Sequence, residues 1–134
     1  MIHLRRIHLA VLSGLALIAS LSGCASTSYH YSELLGDRYF RSNAETYPVF
    51  IREVDGKGYT GRAPVLVEPG LHTLLVQGPA TRVDTYETRQ FPLDVRPCMR
   101  YYIVAEKTSR LEAEFTVKVD HQEPVAGCTP PAAK

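Results

Sequence analysis

Tryptophan is absent from these 134 residues, and cysteine occurs only three times. The longest uncharged apolar stretch, IHLAVLSGLALIASL, runs for fifteen residues. That is short of the roughly 20 needed to span a bilayer. Charge of neither sign dominates, with 15 Lys and Arg against 14 Asp and Glu. Such a balance gives no ground for a nucleic acid or an anionic membrane surface as an electrostatic partner. No C-x-x-C pair, G-x-S-x-G elbow or phosphate-binding glycine loop occurs, and no histidines are spaced i, i+2 or i, i+4. Dithiol redox, serine-hydrolase, nucleotide and clustered-metal chemistry therefore have no sequence support. There is no long amphipathic helix and no repeat of fixed period. The length allows a single domain.

What is present begins at the amino terminus. A cationic start, MIHLRR, precedes the fifteen-residue apolar stretch, and Leu21-Ser22-Gly23-Cys24 closes it. The length and flanks are those of a secretory signal segment, residues 1–23. The closing tetrapeptide resembles the bacterial lipobox, in which small residues precede an obligatory cysteine. That resemblance implies recognition of Leu21, Ser22 and Gly23 by the lipoprotein signal peptidase and a diacylglycerol thioether on Cys24. A thiolate is the side chain able to take that group. Cleavage would free an α-amine for acylation by a further chain such as palmitate. Each buried methylene contributes about 0.8 kcal/mol, so two or three chains anchor far more firmly than one. The competing readings are an uncleaved helical anchor and an ordinary signal peptide that ends beside a cysteine. Ala25 and Ser26 stand where an Asp often marks inner-membrane retention, so the lipobox reading implies the outer membrane, periplasmic face. The exported part would be nearly neutral, with 13 basic and 14 acidic residues once Arg5 and Arg6 are removed.

Three cysteines are an odd number. With Cys24 committed to lipid, Cys98 and Cys128 remain as the intrachain pair, and export permits a disulfide. Closing a loop of about 31 residues is expected to stabilise the fold by roughly 3–4 kcal/mol. A redox-active or metal-binding pair is the alternative.

Residues 24–46 read as the lipidated terminus and a tether, with Ser32-Glu33-Leu34-Leu35 able to start one helical turn. From residue 25 to 46 a fully extended chain would reach roughly 75 Å. Tyr29, Tyr31, Tyr39 and Phe40 are unusual in a linker and are expected to dock on the domain or on a partner. Short β segments follow across residues 47–128. In PVFIREVDG, Val49 and Ile51 share one face, with Phe50, Arg52 and Val54 on the other. Asp55-Gly56-Lys57-Gly58 is turn chemistry. APVLVEPG and LHTLLVQG read as a hairpin about Glu68-Pro69-Gly70-Leu71, a sequence suited to a type II turn. Pro92 in TRQFPLDV marks an edge strand or a bulge. RYYIVAEK, apolar on both faces, suits a central strand. LEAEFTVKVDH alternates, with Ala113, Phe115, Val117 and Val119 inward. Residues 129–134 are expected to be a disordered tail. The fold class is an all-β antiparallel sandwich of six or seven strands.

Val54-Asp55-Gly56, followed by Val65-Leu66-Val67-Glu68-Pro69-Gly70-Leu71-His72-Thr73-Leu74, resembles the rhythm of PEGA-type domains, small β-sandwich modules of bacterial envelope proteins. Pro97-Cys98-Met99-Arg100-Tyr101-Tyr102-Ile103 and Ala126-Gly127-Cys128 are similar to segments of small proteobacterial lipoproteins. The sequence departs from the PEGA pattern in lacking the full quartet. The resemblance implies a non-catalytic binding or spacer module without a defined ligand.

The side chains left for chemistry are few. His72, just past a turn, is expected to cap a strand end, and His121 stands beside Asp120 and Glu123. Glu112 and Glu114 read as a wet strand face rather than a glycosidase pair. Tyr101 and Tyr102, with Arg100, could stack a sugar or peptide. His72, Tyr101, Tyr102 and His121 are accordingly the candidate ligand contacts. No catalytic residue, metal or cofactor is expected. The functional expectation is a lipid-anchored, non-enzymatic structural or protein-interaction module, partnered by an envelope protein or peptidoglycan. The alternative is a periplasmic binder or hydrolase of envelope glycans or peptides, and a metal-handling lipoprotein is a third reading.

Overall fold

The structure, a computed structural model, describes residues 29–81, 85–109 and 112–130. Leu21, Ser22, Gly23 and Cys24 lie outside the described residues, as do residues 131–134 of the tail. Nine strands run in the order β1 (Ser32–Leu35), β2 (Thr46–Pro48), β3 (Phe50–Val54), β4 (Lys57–Gly58), β5 (Val65–Val67), β6 (Gly70–Gln77), β7 (Thr88–Val95), β8 (Met99–Glu106) and β9 (Thr116–Pro124). No helix occurs among the described residues.

Two sheets form a small sandwich. In the first, β8 is central, as its two apolar faces predict. β9 pairs antiparallel along one edge of β8. The other edge is shared: β1 lies parallel to residues 100–102, and β2 lies antiparallel to residues 104–106. β5 then pairs with the far side of β1. The second sheet has the order β4-β3-β6-β7, which puts Pro92 on an edge strand as expected. Leu34, Val67, Tyr101 and Ile103 of the first sheet meet Ile51, Leu74, Val76 and Val95 of the second across the core.

Turn chemistry explains the tightest connection. Asp55 and Gly56 both have positive φ, 52° and 78°, between the paired residues Val54 and Lys57. This is the two-residue hairpin geometry that favours Asp-Gly. A second hairpin joins β6 to β7 in unbroken register from Gly70↔Val95 to Gln77↔Thr88.

Several sequence expectations are corrected. Residues 32–35 are neither tether nor helical turn. They form a strand between β8 and β5, with Leu34 fully buried. Long-range pairing decided this, because four residues are too few to show a period. The Pro69-Gly70 turn does not close a hairpin either. β5 belongs to the first sheet and β6 to the second, so the turn carries the chain between layers. Val54 faces inward together with Ile51, because the register slips at Arg52 and one extra residue reverses the alternation. Ala113 is exposed, since β9 starts only at Thr116. The pairing is not wholly antiparallel, β1 with β8 being parallel. Finally, Thr129 is tied down, its N–H donating to the Tyr29 carbonyl at 2.8 Å.

The Cys98–Cys128 disulfide is present, with a Cα–Cα distance of 5.6 Å. It joins the chain just before β8 to the chain just after β9. Two hydroxyls brace the neighbouring β7–β8 corner. Buried Ser32 donates from Oγ to the Arg96 carbonyl (2.7 Å) and accepts from the Met99 N–H (3.1 Å). Tyr101 accepts the Arg96 N–H on its hydroxyl at 2.8 Å.

Candidate functional site

The outer face of the first sheet gathers most of the distinctive side chains. Period-two alternation along β8 sends Tyr101 and Ile103 into the core and Arg100 and Tyr102 outward. Parallel pairing sets Glu33 of β1 opposite Arg100, and antiparallel pairing sets Glu123 of β9 on its other side. Arg100 donates from Nε to Glu33 (2.7 Å) and from a terminal nitrogen to Glu123 (3.2 Å). Tyr102 donates to the same Glu123 oxygen (2.9 Å), and Tyr29 donates to Glu33 (2.9 Å).

A five-member ladder therefore crosses three strands. Its titration follows its geometry. The bond to Glu33, working against partial desolvation and aided by Glu123, holds Arg100 firmly charged. The hydrogen bond from Tyr102 lowers the Glu123 carboxyl, with Arg100 adding to it. Desolvation, then the neighbouring carboxylates, raise both Tyr102 and Tyr29. Charge-assisted bonds of this kind fix orientation as well as contribute energy. The ladder is a brace.

Beside it stands an aromatic patch created by a bulge. Tyr102 pairs with His121 and Ile103 with Val119, so Asp120 is the extra residue. Without it, alternation would continue the inward set from Val119 to His121. The bulge turns His121 outward instead, next to Tyr102. The freed Asp120 carboxylate then accepts the backbone N–H groups of Tyr39 (3.1 Å) and Phe40 (3.2 Å). Tyr39 stacks on His121 with ring centroids 3.7 Å apart and planes at 22°, and it meets Tyr102 edge-on at 5.0 Å. Phe40 sits edge-on to Tyr39 at 5.0 Å. Within the same loop, Arg38 donates to the carbonyls of Asn43 (3.3 Å) and Thr46 (3.1 Å). Tyr39 and Phe40 remain 43% and 50% exposed. A groove lined by Leu35, Asp37, Arg41, Pro48 and Tyr102 adjoins them. Rigidly held, half-exposed aromatics are what a binding surface needs, since little side-chain entropy is left to lose.

The four candidate contacts divide evenly. Tyr102 and His121 come together in the patch. Tyr101 does not join them, being buried in the core with its hydroxyl committed to the β7–β8 corner. His72 lies on the second sheet, with Nδ1 2.6 Å from Asp55 and Nε2 2.8 Å from the Glu68 carbonyl, and the protonated ring donates to both. The other Asp55 oxygen accepts the Thr73 N–H (2.8 Å). Where the sequence suggested a cap on a strand end, His72 clamps two turns together from within β6. Glu33 and the patch residues Tyr39 and Phe40 were not singled out as site residues by sequence reasoning. The density of aromatics in residues 29–40 was the available signal. No group of three or more potential metal ligands occurs among the described residues.

The His72 clamp makes stability depend on pH. Desolvation alone would lower the imidazole's pKa, but the bonds to Asp55 and to the Glu68 carbonyl outweigh it and raise the value. A raised folded-state value adds stability that is complete below the unfolded value of about 6.5 and is lost as pH rises through the folded value. Asp55 is shifted downward, chiefly by the Thr73 N–H and then by His72. Its contribution is lost only in acid, as pH falls through its folded value. Thermal midpoints are therefore expected to fall as pH rises above the unfolded imidazole value of about 6.5. His72→Gln should flatten that slope, and an unchanged slope in the variant would remove the clamp as its cause.

Fold and site together define a small, disulfide-stapled β-sandwich with an aromatic patch on one sheet face. The chain matches no protein-family model, no curated protein and no solved structure.

Proposed function

We propose that the chain is an outer-membrane lipoprotein of the periplasmic face whose PEGA-like sandwich is a non-catalytic module presenting Tyr39 and Phe40 to a protein partner. The observation that carries this reading is the Cys98–Cys128 pairing. It suits an oxidising compartment. It also leaves Cys24, directly behind Leu21-Ser22-Gly23, as the one cysteine outside that pair. The alternation of Glu33, Arg100 and Glu123 into one brace supports a presenting role, because it commits the charged groups to rigidity.

A second reading, a binder of envelope glycan, draws on the same patch, since a sugar ring can stack on exposed Tyr39. Hydrolysis through His72 has less support, both ring nitrogens being engaged in the clamp.

Globomycin, which blocks the lipoprotein signal peptidase, is expected to accumulate a heavier precursor, and intact-protein mass spectrometry should place acyl chains on Cys24. Cross-linking in intact cells should then return a protein partner. Changing Tyr39 and Phe40 together to Ala should weaken that complex by about thirtyfold, the effect of losing a central aromatic anchor. Retention of affinity by the double variant would move the interface elsewhere. Binding to purified peptidoglycan sacculi, lost in the same variant, would favour the glycan reading instead.

A further inference from the structure

The sandwich takes hold of the chain much earlier than a tether ending at residue 46 allows. Tyr29 is already fixed, its carbonyl accepting from Thr129 and its hydroxyl donating to Glu33. His30 follows, with Nε2 3.5 Å from a Glu68 carboxylate oxygen. Ser32 then enters the sheet opposite Val67. Only five peptide steps separate Cys24 from Tyr29, and these can reach at most about 18 Å. The corresponding figure for a tether running to residue 46 is about four times larger.

The end of the sandwich at which the chain enters is specific. It carries Tyr29, the β5–β6 corner at Glu68 and Pro69, and the disulfide. It also carries Leu71, a large apolar side chain left 75% exposed. The far end of the β6–β7 hairpin, beyond Gln77 and Thr88, is about 23 Å away along the strands. Tyr86, also exposed, belongs to that far end.

We propose that the entry end of the sandwich, with Leu71 foremost, rests on the lipid surface. This rests on the reading of Cys24 as the lipid-bearing residue. A leash this short confines the domain within one domain diameter of the bilayer, where even a weak apolar contact is occupied through high effective concentration. Charge is not required, which suits a nearly neutral chain. The partner of the aromatic patch is then a protein in or beside the same membrane.

The absence of tryptophan makes this directly measurable. Leu71→Trp and Tyr86→Trp each introduce a single indole reporter at an exposed position. The full-length lipidated proteins would be purified from membranes and checked for the Cys98–Cys128 bond. They would then be placed in vesicles of phosphatidylethanolamine and phosphatidylglycerol doped with acyl-brominated phosphatidylcholine. The reporter at position 71 lies at the headgroup–acyl boundary and should lose about half of its emission, whereas the reporter at position 86 should lose little. A flexible Gly-Ser insert of about 20 residues after Ser28 should relieve the quenching at position 71. Equal quenching of the two reporters, or none at position 71, overturns the proposal when mass spectrometry shows lipid on Cys24. A bare Cys24 in the same preparations overturns the lipoprotein reading itself, and this inference with it.

Discussion

Replacing Gly36 by Ala is expected to destabilise the domain by about 3 kcal/mol or more, at the upper end of the usual cost of overpacking. Gly36 follows β1, and the chain returns past it at Val49, between β2 and β3. The Val49 N–H donates to the Gly36 carbonyl at 2.7 Å. A Cβ at Gly36 would penetrate the Val49 carbonyl oxygen and lie 2.9 Å from its carbon. Backbone cannot rotate aside as a side chain would, so β1 or the β2–β3 segment must shift. Both strands sit on the same edge of β8, and the loop between them carries Tyr39 and Phe40. Weaker binding of the proposed partner should therefore accompany the lower urea midpoint. Gly58→Ala is the control, because its nearest new neighbour is 4.0 Å away. If the two variants unfold at the same urea concentration, the close approach at Gly36 is not a constraint on the fold.

Removing the disulfide by changing Cys98 and Cys128 to Ser should cost about 3–4 kcal/mol, from the entropy regained by an unfolded chain no longer closed over about 31 residues. With a urea dependence of roughly 2 kcal/mol per molar, the midpoint falls by almost 2 M. The position of the bond concentrates its effect. Next to it, Val125 donates to the Cys98 carbonyl at 2.9 Å and Thr129 to that of Tyr29 at 2.8 Å. The chain at Tyr29, the first described residue, is thereby held to the chain at Thr129, near the last. Reduction of the unmodified protein should reproduce the loss, and equal midpoints with and without reductant would show that the loop is already restrained by other contacts.

Local chemistry written in neighbouring residues was readable without coordinates. Asp55-Gly56 specifies its turn, Pro92 an edge strand, and the two-faced apolarity of residues 100–107 a central strand. The cysteine count leaves one pairing once Cys24 is set aside. These features rest on backbone sterics, hydrogen-bond donors and arithmetic, all of which act over short distances or none. By contrast, the aromatic patch depends on the Asp120 bulge, which breaks the period-two rule from which faces are read. The Glu33–Arg100–Glu123 brace depends on three strands whose neighbours are set by the whole sheet.

The sequence alone thus determined the all-β class and the turn positions, which follow from the conformational limits of adjacent residues, and the single disulfide, which follows from the cysteine count. The tertiary structure decided that residues 32–35 are a strand, that the Pro69-Gly70 turn crosses between sheets, and that Tyr39 meets His121. Those outcomes depend on which distant segments compete for the same edge of β8, where the burial of Leu34 and the bonds of Ser32 outweigh any local preference of four residues.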